Sequence, residues 1–178
     1  MYINENGRMS SVSELGLFDF AKQALGFGKL VDRIHRPICD DIVNLKERNQ
    51  FWICPRAFFK STIFKYALPL RLLFGGCNDK ILIIEGFHRN VDETKNRLSG
   101  LYKLLGMNYD RRKLDNIDIR TLDEMVCRGF SQSQYDYIIV DDLFLGDIGE
   151  SKTMDIYNKF IRFMNLCDSN AIPDRWSG

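Results

Sequence analysis

The nine residues YDYIIVDDL, Tyr135–Leu143, constrain the fold of this chain more than any other stretch. A short, nearly unbroken apolar run is the pattern of a strand buried on both faces, as in a parallel sheet. KILIIEG, Lys80–Gly86, repeats it. Helical patterns alternate with these runs. Asn90–Leu105 puts Val91, Leu98, Leu101 and Leu105 on one side, and Thr153–Leu166 turns Ile156, Phe160, Phe163 and Met164 inward. Upstream, QFWICP (Gln50–Pro55) is aromatic and β-branched and ends in proline, which predicts another strand. Ser61–Phe74 predicts a helix that Pro69 must kink or shift in register. NIDIRTL and EMVCRGF predict two short strands, joined as a hairpin through Asp123. This order predicts an α/β domain with a central, mainly parallel sheet flanked by helices.

The segment before these elements reads differently. Met1–Ser13 is polar and expected to be mobile. A capped helix follows, with Leu15, Phe18, Ala21 and Leu25 at helical spacing and Gly26 and Gly28 at its end. A second helix crosses Ile38, Ile42 and Leu45, with Pro37 near its first turn. Lys46–Asn49 makes a charged break, so residues 1–48 form a helical lead-in packed on a core of 49–178. With 178 residues and 45% hydrophobic content, the chain can fill a core of its own. A net charge of +1 gives no global basic field, although a local basic face stays possible. The five cysteines are scattered and include no CxxC pair, which argues against zinc and for reduced thiols in a cytosolic compartment. The N-terminus has no apolar signal core, and no apolar run reaches membrane-spanning length.

Ligands of open parallel sheets bind at the carboxyl ends of the strands. That directs attention to two corners, Pro55–Ser61 and Asp141–Glu150. In the first, Lys60 supplies a cation, Ser61 a hydroxyl, and the start of a helix its partial positive charge, which are parts of a phosphate-binding loop. Arg56 is a further cation able to meet a phosphate bidentately, and Thr62 is a second hydroxyl that caps the helix or serves the ligand. The pattern G-x-x-x-x-G-K-[ST] calls for glycine where Cys54 and Phe59 stand, so an ordinary strand-to-helix corner is the competing reading. At the second corner, an apolar strand ending in Asp141-Asp142 has the form of a Walker B element, one carboxylate for magnesium and one for the attacking water. The competing reading there is a pair of solvated strand-end aspartates.

Together these residues resemble the ATPase domain of large terminase subunits, the motors that package DNA into tailed-phage and herpesvirus capsids. PRAFFKST, Pro55–Thr62, is similar to the family's variant loop, in which Pro-Arg precedes Lys-Ser/Thr and the glycine before lysine is replaced. FDFAKQALGFGKLVDRIHRPICDDI is similar to its lead-in, MVCRGFSQSQYDYIIVDDL to the stretch around its Walker B strand, and SKTMDIYNKFIRFMNL to the helix that follows. The resemblance spans about Leu17 to Leu166. It implies a P-loop NTPase fold of the ASCE type that hydrolyses ATP with Mg²⁺. Lys60 and Ser61 would hold the triphosphate and the magnesium, within a loop completed by Pro55, Ala57, Phe58, Phe59 and Thr62. Arg56 would sense the γ-phosphate, and Asp141 would help hold the magnesium. Asp142 stands where many members carry a catalytic glutamate, and Glu150 is a reserve candidate for that role. The implied partners are double-stranded DNA, a portal protein, a small terminase subunit and further copies in a ring, with no membrane. The implied place is the host cytoplasm, transiently at the viral procapsid. The chain ends at AIPDRWSG, before the family's coupling motif and nuclease domain, so no nuclease activity is expected of it.

Two alternatives stay open: a domain that kept the fold as an interaction module without hydrolysis, and another P-loop enzyme such as a helicase-like ATPase or a nucleotide kinase. Lesser features have bland readings beside functional ones. His35 and Arg36 are a surface pair at a helix start or contacts for adenine or ribose. Arg111, Arg112, Lys113, Arg120 and Arg128 are a solvated group offset by Asp110, Asp115 and Asp118, or contacts for a phosphate backbone. His88-Arg89 lies at the ligand edge of the predicted sheet.

Overall fold

A computed structural model describes residues 2–3, 9–10, 14–44, 52, 54–55, 57–74, 79–106, 114–127, 134–141 and 150–169. They divide into two compact units, each made of two pieces of chain: residues 1–78 with 97–114, and residues 79–96 with 115–178.

The first unit is mainly helical. At its start β1 (Tyr2–Ile3) pairs antiparallel with β2 (Met9–Ser10), inside the segment expected to be mobile. Helix α1 (Leu17–Asp19) runs into a π-helical turn, Phe20–Ala24, closed by the Leu25 N–H on the Phe20 carbonyl at 3.1 Å. Gly26 ends it at φ +72°, a left-handed exit that glycine takes without a Cβ clash. Helix α2 is Asp32–Asn44, so Pro37 lies in its interior and not, as expected, near its first turn. The side chain of Arg36 anchors α2: its guanidinium meets both carboxylate oxygens of Asp19, at 2.7 and 2.9 Å, reaches Asp32, and lies 4.3 Å from the Phe18 ring. Arg36 is thus committed to structure.

The helix predicted over Ser61–Phe74 forms, and Pro69 explains its irregularity. A proline has no N–H for the ladder, and its ring crowds the carbonyl four residues back. The chain answers with a π-helical turn, Thr62–Ala67, before α3 (Leu68–Phe74), and the Leu68 N–H reaches back five residues to Ile63. The register shift is therefore local. Ile63, Leu70 and Leu73 are buried, and Arg71 donates from Nε to the Leu15 carbonyl at 2.6 Å. Of the strand predicted at Gln50–Pro55, Trp52, Cys54 and Pro55 lie in no strand, and Gln50, Phe51 and Ile53 fall outside the described residues.

The second unit is a parallel three-stranded sheet with helices. Strands β3 (Ile81–Glu85), β4 (Ile117–Thr121) and β5 (Tyr137–Asp141) lie in the order β4-β3-β5. All five residues of the central strand are buried, as its unbroken apolar run requires. Helix α4 (His88–Leu104) begins here and continues into the first unit's share of the chain. Helix α5 (Leu122–Cys127) replaces the strand predicted from EMVCRGF, whose last three residues lie outside the described ones. The reason is a capping box: the Thr121 N–H donates to Glu124 Oε2 at 2.9 Å, and the Glu124 N–H reaches Thr121 Oγ1 at 3.3 Å. Helix α6 (Glu150–Ser169) sends Phe163 into a core with Leu82, Ile84, Leu122 and Met125, against which Ile156, Phe160 and Met164 pack as expected. No helix among the described residues is long and apolar enough to cross a membrane.

Tyr135 packs against this core and donates its hydroxyl to Asp118 at 2.6 Å, and Arg120 pairs with the same carboxylate at 2.6 Å. Burial opposes the charge on Asp118, but the hydrogen bonds from Arg120 and Tyr135 outweigh it and hold its carboxyl below the usual carboxylate range. A carboxylate depressed in the folded state contributes stability above its ordinary value of about 4, and that stability is lost as pH falls through the folded value. Asp118 is 33% exposed, so solvent keeps the contribution below about 1 kcal/mol. Burial, then the bond to Asp118, pushes the Tyr135 phenol up to about 12, so its contribution is lost as pH rises from about 10. Denaturant unfolding across pH should therefore show an acid limb shallower by no more than about 1 kcal/mol in Asp118→Asn and a shallower alkaline limb in Tyr135→Phe.

The thiols divide by burial. Cys39 is buried, which pushes its thiol up to about 12, whereas Cys127 is exposed at the end of α5. Maleimide at neutral pH should label Cys127 within minutes and leave Cys39 unmodified until the chain unfolds, a difference that peptide mass spectrometry resolves.

Candidate functional site

The Pro55–Thr62 loop is where the backbone departs most from ordinary geometry. The Phe58 N–H closes a turn on the Pro55 carbonyl at 3.3 Å. Ala57 then takes φ +62° and Phe59 φ +55°, the two non-glycine residues with positive φ among those described. Each such placement costs an L-residue about 1–2 kcal/mol, and for a bulky residue like phenylalanine it is a true outlier. Strain of this kind persists only where surrounding contacts enforce it, and it concentrates at ligand sites.

A helix starts directly after Phe59. Lys60 is its first residue, Ser61 is right-handed helical at φ −62°, ψ −31°, and the Ile63 N–H binds the Phe59 carbonyl at 3.0 Å. A left-handed residue followed by right-handed ones turns successive N–H groups toward a common point, an anion-binding concavity called a nest. The first N–H groups of the helix and its partial positive charge add to the same effect. Phe59 thus holds the backbone shape that the sequence pattern assigns to glycine. Lys60, Ser61 and Thr62 are all half-buried. One turn further, Lys65 is buried, with its ammonium 5.9 Å from the centre of the Tyr66 ring.

His35 completes this corner and is no surface residue: it is 3% exposed. Its ring centre lies 5.0 Å from that of Phe58 and 5.7 Å from that of Phe59, the latter edge-on. Nδ1 lies 2.9 Å from the Val31 N–H and 3.2 Å from the Val31 carbonyl oxygen, so the backbone of Val31 holds the ring in either tautomer. Nε2 is buried and has no hydrogen-bond partner among the described residues.

At the second corner, the carboxyl ends of the three strands carry polar residues in one row. Glu85 of β3 is in register with Thr121 of β4 on one side and with Asp141 of β5 on the other. All three are buried. In-register neighbours on parallel strands project to the same face, about 4.8 Å apart, so two carboxylates share a confined space. Such a pair is costly to keep charged without a cation or donors nearby. The Thr94 hydroxyl donates to Glu85 Oε1 at 2.6 Å. The sequence does hold a signal for Glu85: ILIIE and YIIVD are apolar strands of equal length, and each ends in a carboxylate.

The chain matches no family model, no curated protein and no solved structure. The site therefore stands on its own residues. Pro55, Ala57, Phe58, Phe59, Lys60, Ser61 and Thr62 form one continuous corner in the helical unit, and Asp141 ends a strand of the sheet unit. Arg56 and Asp142 lie outside the described residues, as does the side chain of Glu150, whose backbone begins α6. Of the basic cluster, Arg111, Arg112, Lys113 and Arg128 also lie outside them, and Arg120 is engaged by Asp118. His88 is exposed at the start of α4, where it lines an open polar depression with Asp92, Lys95, Asp118, Arg120 and Glu124.

Proposed function

We propose that this chain is an ATP-hydrolysing motor domain of the viral DNA-packaging type, built on a P-loop NTPase fold. The observation that carries the reading is Phe59 in the left-handed conformation immediately before Lys60, at the head of a helix. A corner that merely connects two elements gains nothing from that strain, whereas a backbone wrapped on a triphosphate requires the shape.

On this reading the loop N–H groups cradle the phosphate oxygens and Lys60 spans the β- and γ-phosphates. Arg56 would meet the γ-phosphate and the Ser61 hydroxyl would be the loop's oxygen donor to Mg²⁺, with Asp141 the carboxylate that the terminase resemblance assigns to the ion. A hydroxyl and a carboxylate are the hard ligands that this ion prefers. Bound there, magnesium supplies charge neutralisation on the transferring phosphoryl group. Asp142 orients the attacking water for in-line displacement, and Glu150 is the residue to examine if Asp142 proves dispensable. Double-stranded DNA, a portal, a small terminase subunit and a ring of copies are the partners the activity calls for.

The test is titration of Mg-ATP into the purified protein, followed by phosphate release with and without double-stranded DNA, for the natural chain and for Asp142→Asn. Binding with turnover that Asp142→Asn suppresses supports the motor. Binding without turnover in any setting points to an interaction module that lost hydrolysis, and no binding sinks the reading.

A further inference from the structure

We infer that His35 is a positioning residue that stands in for the missing glycine, its imidazole acting as a strut that holds Phe59 in the left-handed conformation. The inference rests on the loop being a phosphate site. Glycine takes positive φ without steric cost, whereas phenylalanine returns to negative φ unless something blocks the return. In this chain the block comes from α2. His35 sits inside it with its ring against both Phe58 and Phe59, at separations typical of packed aromatic pairs. The ring's orientation is itself fixed, because the backbone of Val31 holds Nδ1.

The buried Nε2 sharpens the inference. A polar nitrogen in the interior that finds no partner among the described residues is a cost that a phenyl ring at the same place would not carry. What this corner uses is the ring as a rigid body. The large side chain at position 59 then becomes an asset, since a glycine would offer the strut nothing to press on. Phe59 and His35 form one device: a loop residue too bulky for its conformation, and a buried ring that forbids it any other.

Four proteins test this: the natural chain, His35→Ala, His35→Phe, and His35→Ala combined with Phe59→Gly. Mg-ATP affinity is measured by calorimetry and folding by thermal unfolding. His35→Ala should weaken Mg-ATP about fivefold to thirtyfold, the left-handed penalty turned into an affinity ratio. Adding Phe59→Gly should bring affinity back to within about threefold, because glycine needs no strut. His35→Phe, which keeps a ring and drops both nitrogens, should keep the natural affinity. A merely structural role for His35 would lower stability without rescue by a glycine in the loop. Unchanged affinity in His35→Ala, failed rescue by Phe59→Gly, or lost affinity in a folded His35→Phe each overturns the inference. If the natural chain binds no Mg-ATP, the proposed function fails and the strut is judged by hydrogen exchange at the Phe58 and Ile63 amides. Exchange about tenfold faster in His35→Ala upholds it, and unchanged exchange overturns it.

Discussion

Lys60→Ala is expected to weaken Mg-ATP binding at least about tenfold and to lower phosphate release by about 10²–10³. The first figure is the worth of a hydrogen bond to a charged group, and the second is the loss seen when one fixed donor to a developing charge is removed. Stability should move the other way. Lys60 opens a helix, where the macrodipole is positive and a cation is disfavoured by about 0.3–1 kcal/mol. Replacing it relieves that repulsion, so loss of nucleotide binding with an unchanged or slightly raised unfolding midpoint separates a ligand-binding lysine from a structural one. Equal ATP affinity in the variant and the natural chain removes Lys60 from the site. A variant that binds less and also melts earlier assigns the side chain to the fold.

Phe163→Ala is expected to give the largest loss of stability, about 3–5 kcal/mol. Its ring is 1% exposed and fills the space between Leu82 and Ile84 of the central strand and Leu122 and Met125 of α5. Removing it deletes buried apolar area and leaves a cavity that a sheet and two helices cannot close. A loss of that size is a large share of the 5–15 kcal/mol that keeps a typical domain folded. For a chain of this length it lowers the midpoint by about 6–20 °C. Ile161 is the internal control: it is on the same helix but 39% exposed, so Ile161→Ala should cost well under half as much. Comparable losses at the two positions would mean that α6 does not pack through Phe163.

The sheet was the most legible part of the chain. Ile81–Glu85 is an unbroken apolar strand because both its faces are covered, whereas Tyr137–Asp141, which was expected to be buried on both faces, ends the described strand order and leaves Val140 36% exposed. The inward face of α6 was equally plain, since its 3.6-residue period extends over several turns. Helix α5 was hidden because Met125, Val126 and Cys127 carry no helical period in so short a run. The capping pair Thr121 and Glu124 was the better signal, three residues apart at the end of a strand. Pro37 misled in the same way: proline favours the first turn, but Asp32 starts α2 earlier and the helix tolerates the ring inside it.

At the site, the residue types of the loop were visible and their conformation was not. Nothing in Ala57 or Phe59 announces a positive φ, since intrinsic preference runs against it and only neighbours such as His35 enforce it. The ring contacts between His35 and the loop join residues more than twenty positions apart, which periodicity cannot register. The pairing of Glu85 with Asp141 depends likewise on strand order, which fixes which carboxylates become neighbours.

The way the two units share the chain limits how the protein can be taken apart. Each is made of two pieces, and the pieces of the two units alternate along the chain. A fragment ending at Asn78 lacks Leu98 and Tyr102, both buried, and Tyr102 faces the ring of Phe74 at 6.1 Å. A fragment beginning at Asp79 carries the same two side chains away from the pieces they pack with. No single cut releases either unit whole, so a separately expressed half would expose apolar surface and aggregate. Dissection of this protein calls for excision of residues 97–114, which joins the two pieces of the second unit, and a ribosome must deliver Leu114 before the first unit can close.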